Sequence, residues 1–179
     1  MSLNPIAIEK IDMGPCKATF GTASPIYLGR TQGETAVNYA IDTSPVETEE
    51  DGQVDEVVTG DQLTVTIPLV YTDVDTLSVV VPWGIISTSL GGEKKLEIPK
   101  AVGKKLSDYA DKLVIHPLSV DDADLSKDVT IIKCYPKPGP INFSYSRNGT
   151  RIANVTYVAM EDSNGNYITI GDPAIVDGG

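Results

Sequence analysis

The chain has 179 residues with 25 acidic and 14 basic side chains, which gives a formal net charge of −11. A chain of this length buries about 70% of its unfolded surface, so we expect one domain over residues 1–179 that folds without a metal or a disulfide. The acidic balance repels nucleic-acid phosphates and argues against a protein that reads a DNA sequence.

Short strands joined by tight turns are expected throughout, because 16 glycines and 12 prolines accompany many β-branched residues. Residues 14–29 place short apolar pieces between turn residues and predict an opening pair of strands. A third strand is expected over residues 33–41, where Ala36, Tyr39 and Ile41 lie among polar neighbours.

The composition changes at residues 42–60, which are acidic and contain valine as almost the only large apolar residue. A stretch that cannot bury itself stays exposed and mobile unless a partner orders it. We therefore predict a long acidic loop here that serves assembly. The residues expected to take part are Asp42, Pro45, Glu47, Glu49, Glu50, Asp51, Asp55 and Glu56.

Two clear periodic segments follow this loop. Residues 60–68 alternate, with Leu63, Val65 and Ile67 on one side, and predict a half-buried strand. Residues 77–83 form a further apolar segment. One short helix is predicted near residues 104–114, and its apolar side chains with i, i+3, i+4, i+7 spacing are Leu106, Tyr109, Ala110 and Leu113.

The C-terminal part returns to strands. We expect strands over residues 129–135 and 152–160, and a two-residue hairpin turn at Asn164-Gly165 that leads into a return strand. The predicted fold is therefore mainly β: an antiparallel sandwich or barrel with one short helix packed on it and one long acidic loop.

Little in the sequence points to catalysis. His116 is the only histidine, it precedes a proline, and no nucleophile motif accompanies it, so we expect a packed histidine and no enzyme. Asp122, Asp124 and Asp128 are spaced like calcium ligands, but Lys127 replaces the glycine that makes the sharp turn of such loops. We therefore expect a solvated loop, no metal site and no cofactor.

Compartment signals are few. Cys16 and Cys134 lie far apart in sequence without a C-x-x-C motif, so we expect reduced thiols in a protein made in the cytoplasm. No apolar window approaches the length of a membrane span, and no signal peptide is visible. We expect no membrane partner.

The distribution of charge is the most informative global feature. No basic residue occurs between Arg30 and Lys94, whereas twelve acidic residues do. Such a stretch is consistent with a solvated acidic face that maintains solubility. It is equally consistent with a wall along which a polyanion passes without binding.

Several segments, in this order, resemble the major tail tube proteins of long-tailed, siphovirus-like bacteriophages. FGTASPIYLGRTQGE (residues 20–34) is similar to their N-terminal stretch, and VDEVVTGDQLTVTIPL (residues 54–69) to a strand that follows a long loop. Two later pairs of segments also resemble those proteins. The first pair is LVIHP (residues 113–117) with DVTIIK (residues 128–133), and the second is VTYVAMED (residues 155–162) with YITIGD (residues 167–172).

This resemblance implies a structural subunit that assembles with copies of itself into stacked, hexameric rings. The rings form the hollow tail tube through which DNA is ejected, and the subunit belongs to the virion after synthesis in the host cytoplasm. The loop would reach a neighbouring ring, and the resemblance implies tape measure and tail terminator proteins as further partners.

An acidic tube lumen repels DNA over about one Debye length, near 8 Å at physiological salt, so DNA passes without specific binding. The candidate lumen carboxylates are Asp61, Asp73 and Asp75. The alternative interpretation is a monomeric β-sandwich binding module of the adhesin or carbohydrate-binding type.

Overall fold

The computed structural model describes residues 15–29, 31, 33–70, 73–138 and 153–175. These residues form antiparallel β-structure with one α-helix, which confirms the mainly β prediction. The elements are β1 (Cys16–Phe20), β2 (Ile26–Tyr27), β3 (Ala36–Thr48), β4 (Gly52–Leu69), α1 (Val74–Val80), β5 (Ile85–Thr88), β6 (Lys94–Glu97), β7 (Asp111–Pro117), β8 (Val129–Pro138), β9 (Ala153–Ala159) and β10 (Ile168–Ile170).

Most strands belong to one sheet with the order β2-β1-β7-β8-β9-β4-β3, and β10 also pairs with β8. The two outermost strands, β2 and β3, do not pair with each other within the described residues. The sheet is therefore open and sandwich-like, and the barrel form of the prediction is not adopted. Strands β5 and β6 form a separate two-stranded ribbon.

The core lies on one face of this sheet. Alternate residues of β4, namely Leu63, Val65 and Ile67, are buried, as their alternation with threonines predicts. The rings of Phe20 on β1 and Tyr157 on β9 have centroids 5.2 Å apart. Because three strand spacings of about 4.8 Å separate β1 from β9 along the sheet, this contact requires the sheet to curl around its core.

Helix α1 covers part of the core, and its position differs from the predicted one. Asp73 caps its N-terminus by accepting a hydrogen bond of 2.7 Å from the backbone N–H of Thr76. Val79 and Val80 then pack into the core. The local signal for this helix is an N-cap aspartate followed by apolar residues at helical spacing. This signal is easily missed, because the largely apolar run over residues 77–83 is also compatible with a strand.

The predicted helix around Leu106–Leu113 is wrong. Residues Leu106–Tyr109 form a single 3-10 turn, and β7 begins at Asp111. The β-branched Val114 and Ile115 favour a strand here, and pairing with β1 and β8 on both sides stabilises it. The pairing of β7 with two other strands therefore outweighs a helical pattern of apolar residues that extends over only two turns.

The structure also corrects the expectation of a loop at residues 42–60, because these residues continue β3 and β4 as a two-stranded ribbon. Glu49, Glu50 and Asp51 form its turn, and Gly52 follows with a φ of 71°. A three-residue turn closed by a glycine in the left-handed region is a common hairpin connection. The expected exposure is confirmed, since every residue from 42 to 59 is exposed.

The turn at Asn164-Gly165 is present, but the hairpin predicted around it is not. Both β9 and β10 pair antiparallel with β8, so they follow one another along the same edge of β8. They do not pair with each other. The cysteines behave as expected: Cys16 and Cys134 are free thiols, and Cys134 is buried.

Replacing Tyr157 with Phe tests the core. The Tyr157 hydroxyl is buried without a hydrogen-bond partner among the described residues, and an unpaired buried hydroxyl costs about 1–3 kcal/mol. We expect Tyr157→Phe to leave the free energy of unfolding unchanged or to raise it by about 1 kcal/mol in urea titrations. The control Tyr157→Ala should lower it by about 3–5 kcal/mol. A large loss in the Phe variant would contradict this description of the core.

Candidate assembly surface

The two-stranded ribbon formed by residues 42–60 is here called the arm. Strand β4 pairs with β9 only from Thr64 to Leu69, so beyond that point the ribbon has no third strand within the described residues. At about 3.3 Å per residue, the eight residues of β3 from Ile41 to the turn project by about 25 Å. The arm is thus an extended protrusion from a compact sheet.

Two irregularities shape the arm. The register of β3 against β4 shifts between Asp42 and Thr43 and again between Val46 and Glu47. Each shift leaves one residue of β4 without a partner, first Thr59 and then Val54. Such bulges increase the local right-handed twist of a ribbon and bend it. The direction of the arm is therefore built into its backbone.

All eight residues predicted to serve assembly lie on the arm. Their side chains are exposed, and within the described residues none of the arm carboxylates forms an ion pair. Their internal contacts are few: the Thr43 hydroxyl donates to Glu56 Oε1 at 2.6 Å, and Asp55 accepts from the backbone N–H of Glu56. The negative charge of the arm thus remains available to a partner.

The arm also exposes aliphatic side chains, the valines of residues 42–60. Val46, Val54, Val57 and Val58 are between 41% and 56% exposed. They alternate with the carboxylates on both faces of the ribbon, so neither face is purely polar. A surface that mixes aliphatic and charged groups suits a protein partner better than solvent alone.

A second uncovered apolar row lies where the arm joins the sheet. Tyr39 is directly opposite buried Leu63, and Val37 is opposite buried Val65, so these β3 side chains face the same side as the core. Yet Val37, Tyr39 and Ile41 are 39%, 61% and 53% exposed. Within the described residues the core stops at β4, and the inner face of the edge strand is left open.

Asp61 links this row to the other half of the molecule. Its two carboxylate oxygens accept hydrogen bonds from the hydroxyls of Tyr39, at 3.0 Å, and Tyr167, at 3.1 Å. The hydrogen bond to Asp61, with partial desolvation and the negative charge of the carboxylate, raises the pKa of both phenols. Asp61 therefore ties the base of the arm to the segment that precedes β10.

The other two candidate lumen carboxylates belong to helix α1. Asp73 is its N-cap, and Asp75 forms an ion pair with Lys94, whose Nζ lies 2.6 Å from Asp75 Oδ2. The structure thus places Asp61 on β4 and the other two at α1, each with a local structural role. That these groups line a lumen remains a prediction.

His116 is buried against Asp128. Its Nδ1 lies 2.6 Å from Oδ1 of buried Asp128, and its Nε2 is buried without a hydrogen-bond partner among the described residues. Asp124 accepts from the backbone N–H of Ser126 in a local turn. No group of three or more His, Cys, Asp or Glu side chains in the described ranges is arranged to hold a metal ion.

Comparison with known proteins identifies no family. No family model matches the chain, and no curated protein matches it. Among the residues that the structure describes, no helix is both long enough and apolar enough to cross a membrane.

Replacing Asp61 with Asn tests the tyrosine contacts. Without the carboxylate, the pKa values of Tyr39 and Tyr167 should fall towards the ordinary value of about 10. In a titration followed by phenolate absorbance, part of the curve should then move to lower pH relative to the wild type. Asp51→Asn at the tip of the arm, where no phenol is in contact, is the control. Superimposable curves for wild type and Asp61→Asn would show that the contacts do not persist in solution.

Replacing Asp128 tests the packed histidine. Asp128→Ala removes the hydrogen-bond partner of His116 Nδ1. Neither ring nitrogen then has a hydrogen bond among the described residues, because Nε2 lies 3.8 Å from Asp122 Oδ1, and the protein should lose about 1–3 kcal/mol of unfolding free energy. Asp128→Asn retains an acceptor oxygen and should lose less. Urea unfolding monitored by circular dichroism measures both, and equal stability of all three proteins would contradict this role.

Proposed function

We propose that this chain is a structural subunit that assembles with copies of itself, in the manner of a phage tail tube protein. The observation that carries the proposal is the arm: an exposed, two-stranded ribbon that continues an edge strand of the sheet. Such a feature has no evident use in a solitary protein and is a ready-made contact in an assembly.

The edge of β3 supports self-association. This strand has 13 residues and ends the sheet, so one row of its backbone N–H and C=O groups is unpaired within the described residues. Native proteins usually shorten, bulge or cover such edges, because an open edge adds a strand from another chain. Here the bulges lie in the arm, and residues 36–42 form a regular edge.

The open apolar row of Val37, Tyr39 and Ile41 supports the same conclusion. Burying apolar surface contributes about 25 cal/mol per Å², so covering this row in an assembly is favourable. A neighbouring copy that extends the sheet beyond β3 would also extend its core face. The unpaired edge of β3 and the open apolar row, as seen within the described residues, thus lie side by side.

Electrostatics support a tube for DNA. In the proposed assembly, stacked rings, hexameric as the resemblance implies, enclose a lumen whose carboxylates include Asp61. DNA passes it without specific binding because like charges repel over about one Debye length. The proposed setting is the virion tail, after synthesis in the host cytoplasm, with the tape measure and tail terminator proteins as further partners.

A monomeric binding module is the alternative function. A groove of about 500 Å³ lies between β1, β7 and the start of β3, and its lining includes Pro15, Thr31, Val37 and Ile115. No described residue that lines it is aromatic, whereas carbohydrate-binding sites rely on exposed rings. The groove also borders the open edge of β3, where a second copy would bind in the proposed assembly.

Shortening the arm tests the proposed function. Replacing Ser44–Thr59 with Asn-Gly leaves a three-residue turn between Asp42 and Gly60, a length that hairpins commonly use. We expect a folded protein, with the circular dichroism of a β-sheet, that sediments as a monomer and forms no rings or tubes in negative-stain micrographs.

The wild-type protein is examined in parallel. Rings or tubes from the wild type and none from the shortened variant would support the proposal. Normal tubes from the shortened variant would show that assembly does not require the arm. A wild type that stays monomeric at high concentration would overturn the proposal and favour the binding module.

A further inference from the structure

The second ribbon of the molecule, residues 85–105, has the opposite character to the arm. It comprises β5, β6 and the segment that follows them, and is here called the basic ribbon. It holds five of the 14 basic residues of the chain against two acidic ones, Glu93 and Glu97. The arm, in contrast, holds seven carboxylates and no basic residue.

The charge of the basic ribbon is only partly neutralised within the protomer. Lys94 pairs with Asp75, and Lys95 pairs with Glu97. Lys100, Lys104 and Lys105 are exposed and form no ion pair within the described residues. Three cations therefore point into solvent on one short segment.

The basic ribbon also exposes aliphatic side chains. Leu90 at its tip is fully exposed, and Ile98 and Val102 are 53% and 83% exposed. A two-stranded ribbon by itself is only marginally stable in water. Among the elements that the structure describes, α1 is the one with substantial contacts to β5 and β6. Like the arm, this ribbon has the surface of an element that a partner covers.

We infer that the basic ribbon is the docking surface for the arm of a second copy of this chain. This inference rests on the proposed function. It adds the position of the surface on the neighbouring copy to which the arm binds. Carboxylates at the tip of the arm, chiefly Glu49 and Glu50, face Lys104 and Lys105 of the neighbour. The valines of the arm pack on the exposed aliphatic residues of the basic ribbon.

Contact between the two ribbons of one protomer does not account for these features. No hydrogen bond or ion pair joins the arm to the basic ribbon within the described residues. The arm is fixed to the sheet through β4 and β9, whereas the basic ribbon packs beside α1. Two surfaces of opposite charge that are largely unneutralised within the described residues of one protomer are complementary between copies.

Charge reversal on each side tests the docking surface. The arm variant is Glu49→Lys with Glu50→Lys, and the ribbon variant is Lys104→Glu with Lys105→Glu. Each should raise the critical concentration for assembly at least about tenfold, because juxtaposed like charges cost several kcal/mol and 1.4 kcal/mol is a factor of ten. Lys133→Glu with Lys137→Glu, which reverses two exposed lysines of β8, is the matched control and should assemble like the wild type.

The decisive protein combines all four substitutions of the arm and ribbon variants. Its net charge equals that of the wild type, and the four exchanged side chains again place opposite charges against one another, so its critical concentration should fall below that of either single-surface variant. If it assembles no better than the single-surface variants, or if those variants assemble like the wild type, the docking surface is wrong while self-assembly stands. A wild type that never assembles overturns both.

Discussion

The pairing of β4 with β9 is the interaction on which the rest of the structure depends. Along Thr64–Leu69, β4 is an interior strand of the sheet, and its buried side chains form a large part of the core. The same strand then leaves the sheet and becomes one side of the arm. Because no break separates the two halves of β4, the position of the arm is set by the packing of the core. The arm protrudes from the sheet, yet it is anchored at its base by an interior strand.

Asp61 lies where these two halves of β4 meet. It is the last carboxylate of the acidic stretch before the buried alternation begins at Leu63, and it accepts hydrogen bonds from Tyr39 on β3 and from Tyr167 just before β10. Its contacts fasten β3 and the segment before β10 to β4 at the base of the arm. The carboxylates of the arm itself have few such contacts among the described residues. The carboxylate at the base of the arm is therefore fixed by hydrogen bonds, whereas those towards the tip are open to solvent.

The sequence predicts several strands well, and the helix and the arm poorly. Alternation in β4 identified both the strand and its buried face, and the opening pair of strands and β8 were expected close to where they occur. The helix was misplaced because Leu106–Leu113 has helical spacing over only two turns, whereas β7 is determined by pairing with distant strands. The arm was expected to be a loop because none of its residues is buried. A local signal for its turn is Asp51-Gly52, where the glycine adopts a positive φ of 71°.

The candidate site was predictable in composition but not in geometry. The eight arm residues could be selected because acidic residues without large apolar neighbours cannot bury themselves. The open row of Val37, Tyr39 and Ile41 could not be selected from the sequence. The exposure of side chains on the core side of an edge strand depends on what lies beyond that edge. The same holds for the lysines of the basic ribbon that form no ion pair with a described residue, because whether a lysine lies near a carboxylate is decided by the fold.

The charge of the arm has a consequence for symmetry. Two arms brought together around a twofold axis would place seven carboxylates against seven others, with no cation between them. An isologous dimer through the arms is therefore disfavoured. Contacts through the arm are therefore expected to be heterologous, which means that they join different surfaces of successive copies. Contacts of that kind do not terminate at two subunits: they either close into a ring or continue as a filament.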